Sequence, residues 1–142
     1  MKFGRCLWLI PDELSDWHNY TDGFTPHMTI KTNVTDKELE FYRNNIDLNK
    51  SYEVELIDDL IYEKKNNFHC LYFKVKLHGF KPNWWPDNAH ISLKYRYNNS
   101  ITKKEIEKIY NLVKNKKGIL NSIKLMSCNT HYNFWKDIET LN

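Results

Sequence analysis

Polar and apolar residues alternate in two short segments of the chain, 26–32 (PHMTIKT) and 89–95 (AHISLKY). Side chains two residues apart on a β-strand share a face, so alternation of this kind predicts two strands that each have a polar face and an apolar face. The residues on the two polar faces are His27, Thr29 and Lys31 in the first strand, and His90, Ser92 and Lys94 in the second. Each polar face requires contact with solvent or a ligand.

A capped helix and a β-hairpin are predicted after each of these strands. Thr35-Asp36-Lys37-Glu38 and Thr102-Lys103-Lys104-Glu105 both have the capping-box pattern that opens a helix. The first helix is predicted to run to about Asn45, and Gly118 is placed to end the second. The hairpin strands are predicted at 52–63 and 68–78, and at 119–127 and 130–138. A strand at 3–10 and the connection at 79–88 lie outside the repeat.

A strand, helix and hairpin that occur twice in the same order indicate an internal duplication. We expect one domain over residues 1–142 with an α+β, bilobal, pseudo-symmetric fold, in which two antiparallel sheets line a central groove and the helices pack outside. Equivalent strands would then place His27 and His90 opposite each other.

Composition narrows the class of protein. The 142 residues are 41% hydrophobic and 15% aromatic, as in globular proteins. No apolar run approaches the roughly 20 residues of a membrane span, and no secretory signal is expected. We therefore expect no membrane partner and a cytoplasmic location, or the host cytoplasm if the source is a virus. The net charge of +3 is mild, and it favours an anionic ligand only weakly.

Several kinds of functional site are disfavoured by the sequence. The three cysteines are an odd number without a Cys-x-x-Cys spacing, which argues against a disulfide framework and a zinc site. The four glycines are isolated, so a glycine-rich phosphate loop is excluded. We expect neither a metal nor a cofactor.

The two histidines suit the cleavage of a phosphodiester. In-line attack needs a base that takes a proton from the nucleophile and an acid that protonates the leaving oxygen on the far side. Imidazole can fill both roles because its unperturbed pKa is about 6.5, and a bell-shaped dependence of rate on pH is then expected. Thr29 and Ser92 could donate to non-bridging phosphoryl oxygens, and Lys31 and Lys94 could add a positive field.

These residues resemble the paired motifs of a known family. Pro26-His27-Met28-Thr29-Ile30 and His90-Ile91-Ser92-Leu93-Lys94-Tyr95 look like the two His-x-Thr/Ser motifs of the 2H phosphoesterase superfamily, and Leu7-Trp8-Leu9-Ile10-Pro11 looks like the first strand of its small cyclic phosphodiesterase branch. The resemblance implies a bilobal α+β fold, no metal, and hydrolysis of 2',3'-cyclic or other 2'-linked phosphodiesters. It places His27, Thr29, His90 and Ser92 in the catalytic positions. The short spacing between the motifs favours small nucleotides over long RNA.

Further substrate contacts are predicted around the two motifs. Trp84 and Trp85 lie between prolines in a loop before the second motif and offer faces on which a base could stack. Strict alternation turns Tyr95 away from the catalytic face, so it reaches the substrate only if the strand bulges. Phe24 and Tyr132 are candidates at the rim of the groove.

Other functions could use the same predicted central groove. The enzyme could act on small 2',3'-cyclic nucleotides, or it could be a nuclease that destroys cyclic dinucleotide or 2'-5' oligoadenylate immune signals. A module that binds RNA ends or nucleotides without cleaving them, and a catalytically idle scaffold, are the non-enzymatic alternatives. We expect a monomer whose partner is a small nucleotide or cyclic phosphate, or a short RNA end. The sequence leaves open which histidine is the base and whether the 2' or the 3' oxygen leaves.

Overall fold

The computed structural model describes residues 2–142 and contains seven strands and two α-helices. In chain order they are β1 (Arg5–Pro11), β2 (Met28–Lys31), α1 (Asp36–Asn45), β3 (Tyr52–Lys65), β4 (Phe68–Leu77), β5 (His90–Tyr97), α2 (Lys103–Leu112), β6 (Lys117–Ser127) and β7 (Lys136–Thr140). Short 3₁₀ turns occur at Asp16–Asn19 and Tyr132–Phe134. No helix in the described part of the chain is long and apolar enough to cross a membrane.

All seven strands belong to a single antiparallel sheet. The strand order is β1-β2-β5-β4-β3-β6-β7, and β1 also pairs with β6, so the first six strands close into a ring. β6 makes this closure possible because it pairs with β3 at residues 117–120 and with β1 along residues 120–127.

The predicted α+β fold class, with two separate sheets and helices packed outside, is therefore wrong. Strands make up 42% of the chain and helices only 19%, which describes a sheet-dominated fold. The error arose because β1 was left outside the repeat, although it joins the two halves through β6. Each α-helix contributes one buried residue, Leu39 in α1 and Ile109 in α2.

An internal repeat is present, with a different unit from the predicted one. The order strand, strand, helix, strand occurs as β1-β2-α1-β3 and again as β4-β5-α2-β6. The pairings follow this repeat, since β1 pairs with β2 and β6 while β4 pairs with β5 and β3. β7 is the only strand of the described residues without a counterpart.

Two apolar clusters lie on the two sides of β1. Leu7 and Leu9 point into the main core, together with Met28 and Ile91 from the histidine strands. Cys6, Trp8 and Ile10 point to the other side, into a smaller cluster with Met126 and Cys128. Burial on both faces explains why the sequence of β1 is almost continuously apolar.

Candidate functional site: two histidine strands that meet at one pair

The strands that carry the two motifs are direct neighbours. β2 and β5 run antiparallel and pair at Met28 and Ile91. One residue further in each direction, this register places His27 beside Ser92 and Thr29 beside His90, on the face opposite to the core. Each histidine is thus next to the hydroxyl of the other motif. Diagonal neighbours such as the two histidines are about 7–8 Å apart in this geometry, which leaves room for a phosphorus centre between the rings.

A β-bulge follows the hydroxyl residue in each motif. In β2, Thr29 and Lys31 pair with consecutive residues of β1, and in β5, Ser92 and Lys94 pair with consecutive residues of β4. The second bulge reverses the alternation after Ser92, because one residue has no opposite partner. Tyr95 consequently lies on the same face as Ser92.

Both imidazoles are held by the same local hydrogen bond. Nδ1 of His27 donates to the carbonyl of Thr25 at 2.8 Å, and Nδ1 of His90 donates to the carbonyl of Asn88 at 2.7 Å. A carbonyl only accepts, so Nδ1 carries the proton and Nε2 of each neutral ring has the free lone pair. Neither Nε2 has a hydrogen-bond partner within residues 2–142. Each ring can therefore exchange a proton with a ligand through Nε2.

The surroundings of the two rings differ. His27 is buried, and its ring stacks on Trp8 with centroids 3.5 Å apart and planes 5° from parallel. Burial is the main cause that lowers the pKa of His27 to about 3. The hydrogen bond to Thr25 raises the pKa in part, and nearby His90 lowers it slightly. His90 is partly exposed and lies beside the ring of Tyr72, with centroids 4.8 Å apart. His27 is thus neutral in the free protein at ordinary pH.

The two motifs open into one cavity of about 400 Å³. Its walls contain all four motif residues, His27, Thr29, His90 and Ser92. Other side chains that line it are mostly aromatic or thiol-bearing: Phe3, Trp8, Phe68, Tyr95, Trp135, Cys6, Cys70 and Cys128. A small cavity with one polar end and aromatic walls suits a ligand that combines a phosphate with a ring system.

Trp135 is a cavity residue that sequence reasoning missed. Its ring lies 5.7 Å from that of Trp8, 6.1 Å from that of His27 and 5.4 Å from that of Tyr95. The segment was predicted to be a continuous strand, yet the 3₁₀ turn at Tyr132–Phe134 precedes Trp135 and turns it toward the site. This segment was predicted to lie in the second half of the repeat, but in the structure β7 has no counterpart among the described residues of the first half, so the repeat does not mark Trp135.

The two predicted lysines differ in position. Lys31 lines the cavity, and its amino group lies 3.8 Å from the Glu38 carboxylate. Lys94 does not line the cavity, because the bulge turns it aside and its Nζ donates to Asp22 at 3.0 Å. Its predicted role in binding the substrate is corrected on this ground. Tyr95 takes the cavity position in its place.

Four of the predicted aromatic contacts lie in two different places: Trp84 and Trp85 in the main core, and Phe24 and Tyr132 beside Tyr95. Trp84 and Trp85 are only 7% and 5% exposed and pack in the main core against Tyr52, so little of either ring is open for stacking, and neither lines the cavity. Trp85 lines a neighbouring groove. Pro82 accepts a backbone hydrogen bond from Trp85, and this turn directs the rings inward.

The two predicted rim residues lie in an aromatic cluster next to Tyr95. Phe24 is 4.7 Å from the ring of Tyr95 and 6.2 Å from that of His27, and Tyr132 is 5.5 Å from the ring of Tyr95. Neither lines the cavity itself. Both pack against Tyr95, and Phe24 also contacts the His27 ring.

Among residues 2–142, no three His, Cys, Asp or Glu side chains converge as a potential metal-binding group. The comparisons with known proteins gave no match: no protein-family model, no curated protein and no solved structure is significantly similar to this chain.

Proposed function

We propose that the protein is a metal-independent phosphodiesterase that hydrolyses 2',3'-cyclic or other 2'-linked nucleotide phosphodiesters by two-histidine general acid-base catalysis. The observation that carries this proposal is the reciprocal arrangement of the two motifs in one cavity, with each Nδ1 anchored to a carbonyl and each Nε2 without a partner. The resemblance of both motifs to those of 2H phosphoesterases supports the same chemistry.

The difference in burial suggests which histidine has which role. His27 is neutral in the free protein, so in our proposal its Nε2 takes the proton of the attacking water or ribose hydroxyl. His90 is open to solvent and, when protonated, gives its Nε2 proton to the leaving ribose oxygen. The bond from phosphorus to the nucleophile forms as the bond to the leaving oxygen breaks, and one proton moves at each side. A bound phosphate raises the pKa of His27 and so makes it a stronger base.

Thr29 and Ser92 are proposed to bind the phosphoryl group. Each hydroxyl lies next to the histidine of the other motif, so both can donate to non-bridging oxygens while the rings stand at the two ends of the reaction axis. Both hydroxyl residues line the cavity; of the lysines that follow them, Lys31 also lines it, whereas Lys94 does not.

The activity test uses a panel of candidate substrates with EDTA present. The panel contains nucleoside 2',3'-cyclic phosphates, ADP-ribose cyclic phosphate, cyclic dinucleotides and 2'-5' oligoadenylates, and mass spectrometry identifies the products. We expect His27→Ala and His90→Ala each to lower kcat at least a hundredfold, within the usual range for loss of a general acid or base. His78→Ala is the matched control, since His78 is exposed and lies outside both motifs.

Circular dichroism would establish that the variants are folded. Turnover that is unchanged in both variants contradicts the proposal. Tight binding of a panel compound by the wild type, without any turnover, would instead favour a nucleotide-binding module.

A further inference from the structure

A second groove adjoins the cavity on the His90 side. It has a volume of about 750 Å³ and shares three lining residues with the cavity, Glu63, Cys70 and His90. The two halves of the fold are covered unequally beyond their histidine strands. β7 pairs with β6 at residues 124–127, whereas residues 61–65 of β3, the corresponding end, pair only with β4 among the described strands.

One face of β4 connects the cavity with this groove. Tyr72 is opposite Ser92 and Lys74 is opposite His90 in the register of β4 and β5, so these four side chains share a face. Lys76 lies two residues further along the same face. Side chains at opposed positions start about 5 Å apart, and Lys74 lines the groove but not the cavity, so its ammonium reaches a group bound in the groove beside His90 and not one bound between the two histidines.

The groove contains more cations than carboxylates. Its lysines are Lys74, Lys76 and Lys81, and its carboxylates are Glu63 and Asp87. Glu63 accepts a hydrogen bond from the Tyr72 hydroxyl at 2.9 Å. Within the described part of the chain, none of the three lysines has a carboxylate oxygen within 4.0 Å.

Of these three lysines, Lys74 is the best placed. Lys76 lies opposite Glu55 in the register of β3 and β4, so part of its charge is balanced. Lys81 lies in the connection before β5, on the outer wall of the groove. Lys74 alone is in register with His90.

We propose that this groove binds a second phosphate of the substrate, with Lys74 as its main cation, so that the preferred substrate is a short oligonucleotide and not a mononucleotide. The inference rests on the proposed function, because it takes the scissile phosphate to lie between His27 and His90. A neighbouring phosphate of the same nucleotide chain then extends past His90 along β4 toward Lys74.

The test compares two substrates that differ only in the number of phosphates: adenosine 2',3'-cyclic phosphate, and a tri-adenylate that ends in the same cyclic phosphate. We expect wild-type kcat/KM to be at least tenfold higher for the trinucleotide. Lys74→Ala should lower kcat/KM for the trinucleotide about tenfold and leave that for the mononucleotide unchanged. For the trinucleotide, the slope of log kcat/KM against log salt concentration should also become less steep by about 0.7, the value for one phosphate contact to a single strand. Lys104→Ala, which removes an exposed charge on α2, is the control and should have no such effect.

Two outcomes overturn the inference while the proposed function stands: equal kcat/KM for both substrates in the wild type, or a loss in Lys74→Ala that is the same for both. If Lys104→Ala causes an equal loss, the effect belongs to the overall charge, and the inference also fails. If the wild type cleaves neither substrate, the proposed function fails, and fluorescence anisotropy with a labelled trinucleotide decides the inference separately. A Kd that is about tenfold weaker for Lys74→Ala than for Lys104→Ala supports the groove as a phosphate site, and equal values refute it.

Discussion

We expect acid to destabilise the folded protein through His27. In the unfolded chain this imidazole takes up a proton near its ordinary pKa of 6.5, whereas in the folded protein burial lowers its pKa to about 3. Between these values the unfolded state binds one more proton than the folded state, so the free energy of unfolding falls as the pH falls from 6.5 toward 3. Between pH 7 and pH 4, the extra proton on the unfolded state acts over about 2.5 pH units, from 6.5 to 4. At 1.36 kcal/mol per pH unit, the free energy of unfolding falls by about 3 kcal/mol.

The measurement is the free energy of unfolding from urea denaturation at pH 7 and at pH 4. Other groups also titrate in this range, so the wild type is compared with His27→Asn, whose side-chain amide can keep the hydrogen bond to the Thr25 carbonyl. Asparagine does not titrate. The variant should lose about 3 kcal/mol less than the wild type between the two pH values, whatever its stability at pH 7.

The same pKa can be read directly from the ring. The NMR signal of the His27 Cε1–H group should show no protonation of this ring in the folded protein above about pH 4. A His27 that titrates near pH 6.5, or a variant with the same pH dependence of stability as the wild type, would refute the reasoning. Either result would mean that the His27 ring beside Trp8 is accessible to water.

Three further predictions follow from the geometry. In the proposed mechanism, Thr29→Val and Ser92→Ala each remove one donor to the phosphoryl oxygens, so steady-state kinetics should show kcat lowered by about a hundredfold with a folded protein. Lys94→Met should change kcat/KM by less than about twofold, because Lys94 pairs with Asp22 outside the cavity; a tenfold loss would contradict this placement. Thr102→Ala should lower the free energy of unfolding by about 1 kcal/mol in urea denaturation, because it breaks the capping box of α2, and an unchanged midpoint would contradict this.

Local structure was predicted well where the signal lies within a few residues. Both capping boxes are confirmed, with reciprocal hydrogen bonds between Thr35 and Glu38 and between Thr102 and Glu105. The hairpin of β3 and β4 is also confirmed close to its predicted bounds. These features depend on side-chain capping and on residue alternation, both of which are visible in a short window of sequence.

Predictions that depended on distant contacts failed. Gly118 was assigned to the end of a helix, but it lies in β6 beneath Trp17, where a Cβ would come within 2.7 Å of the indole ring. Strict alternation placed Lys94 on the catalytic face and allowed Tyr95 there only if the strand bulged; the bulge is present, so Tyr95 lines the cavity and Lys94 does not. The bulge in β5 is set by its register with β4, which the sequence around Ser92 does not reveal.

The asymmetry of the site originates in the parts of the fold that are not equivalent. Trp8 and Tyr72 occupy matching positions in the repeat, since Trp8 is opposite Thr29 and Tyr72 is opposite Ser92. On the Trp8 side β7 is added to the sheet, and Trp135 at its start packs against Trp8, so that the neighbouring His27 is buried. On the Tyr72 side no equivalent strand is present among residues 2–142, and the lysine-bearing groove remains open. The pair of histidines thereby has one buried ring, to which we assign the role of base, and one partly exposed ring, to which we assign the role of acid.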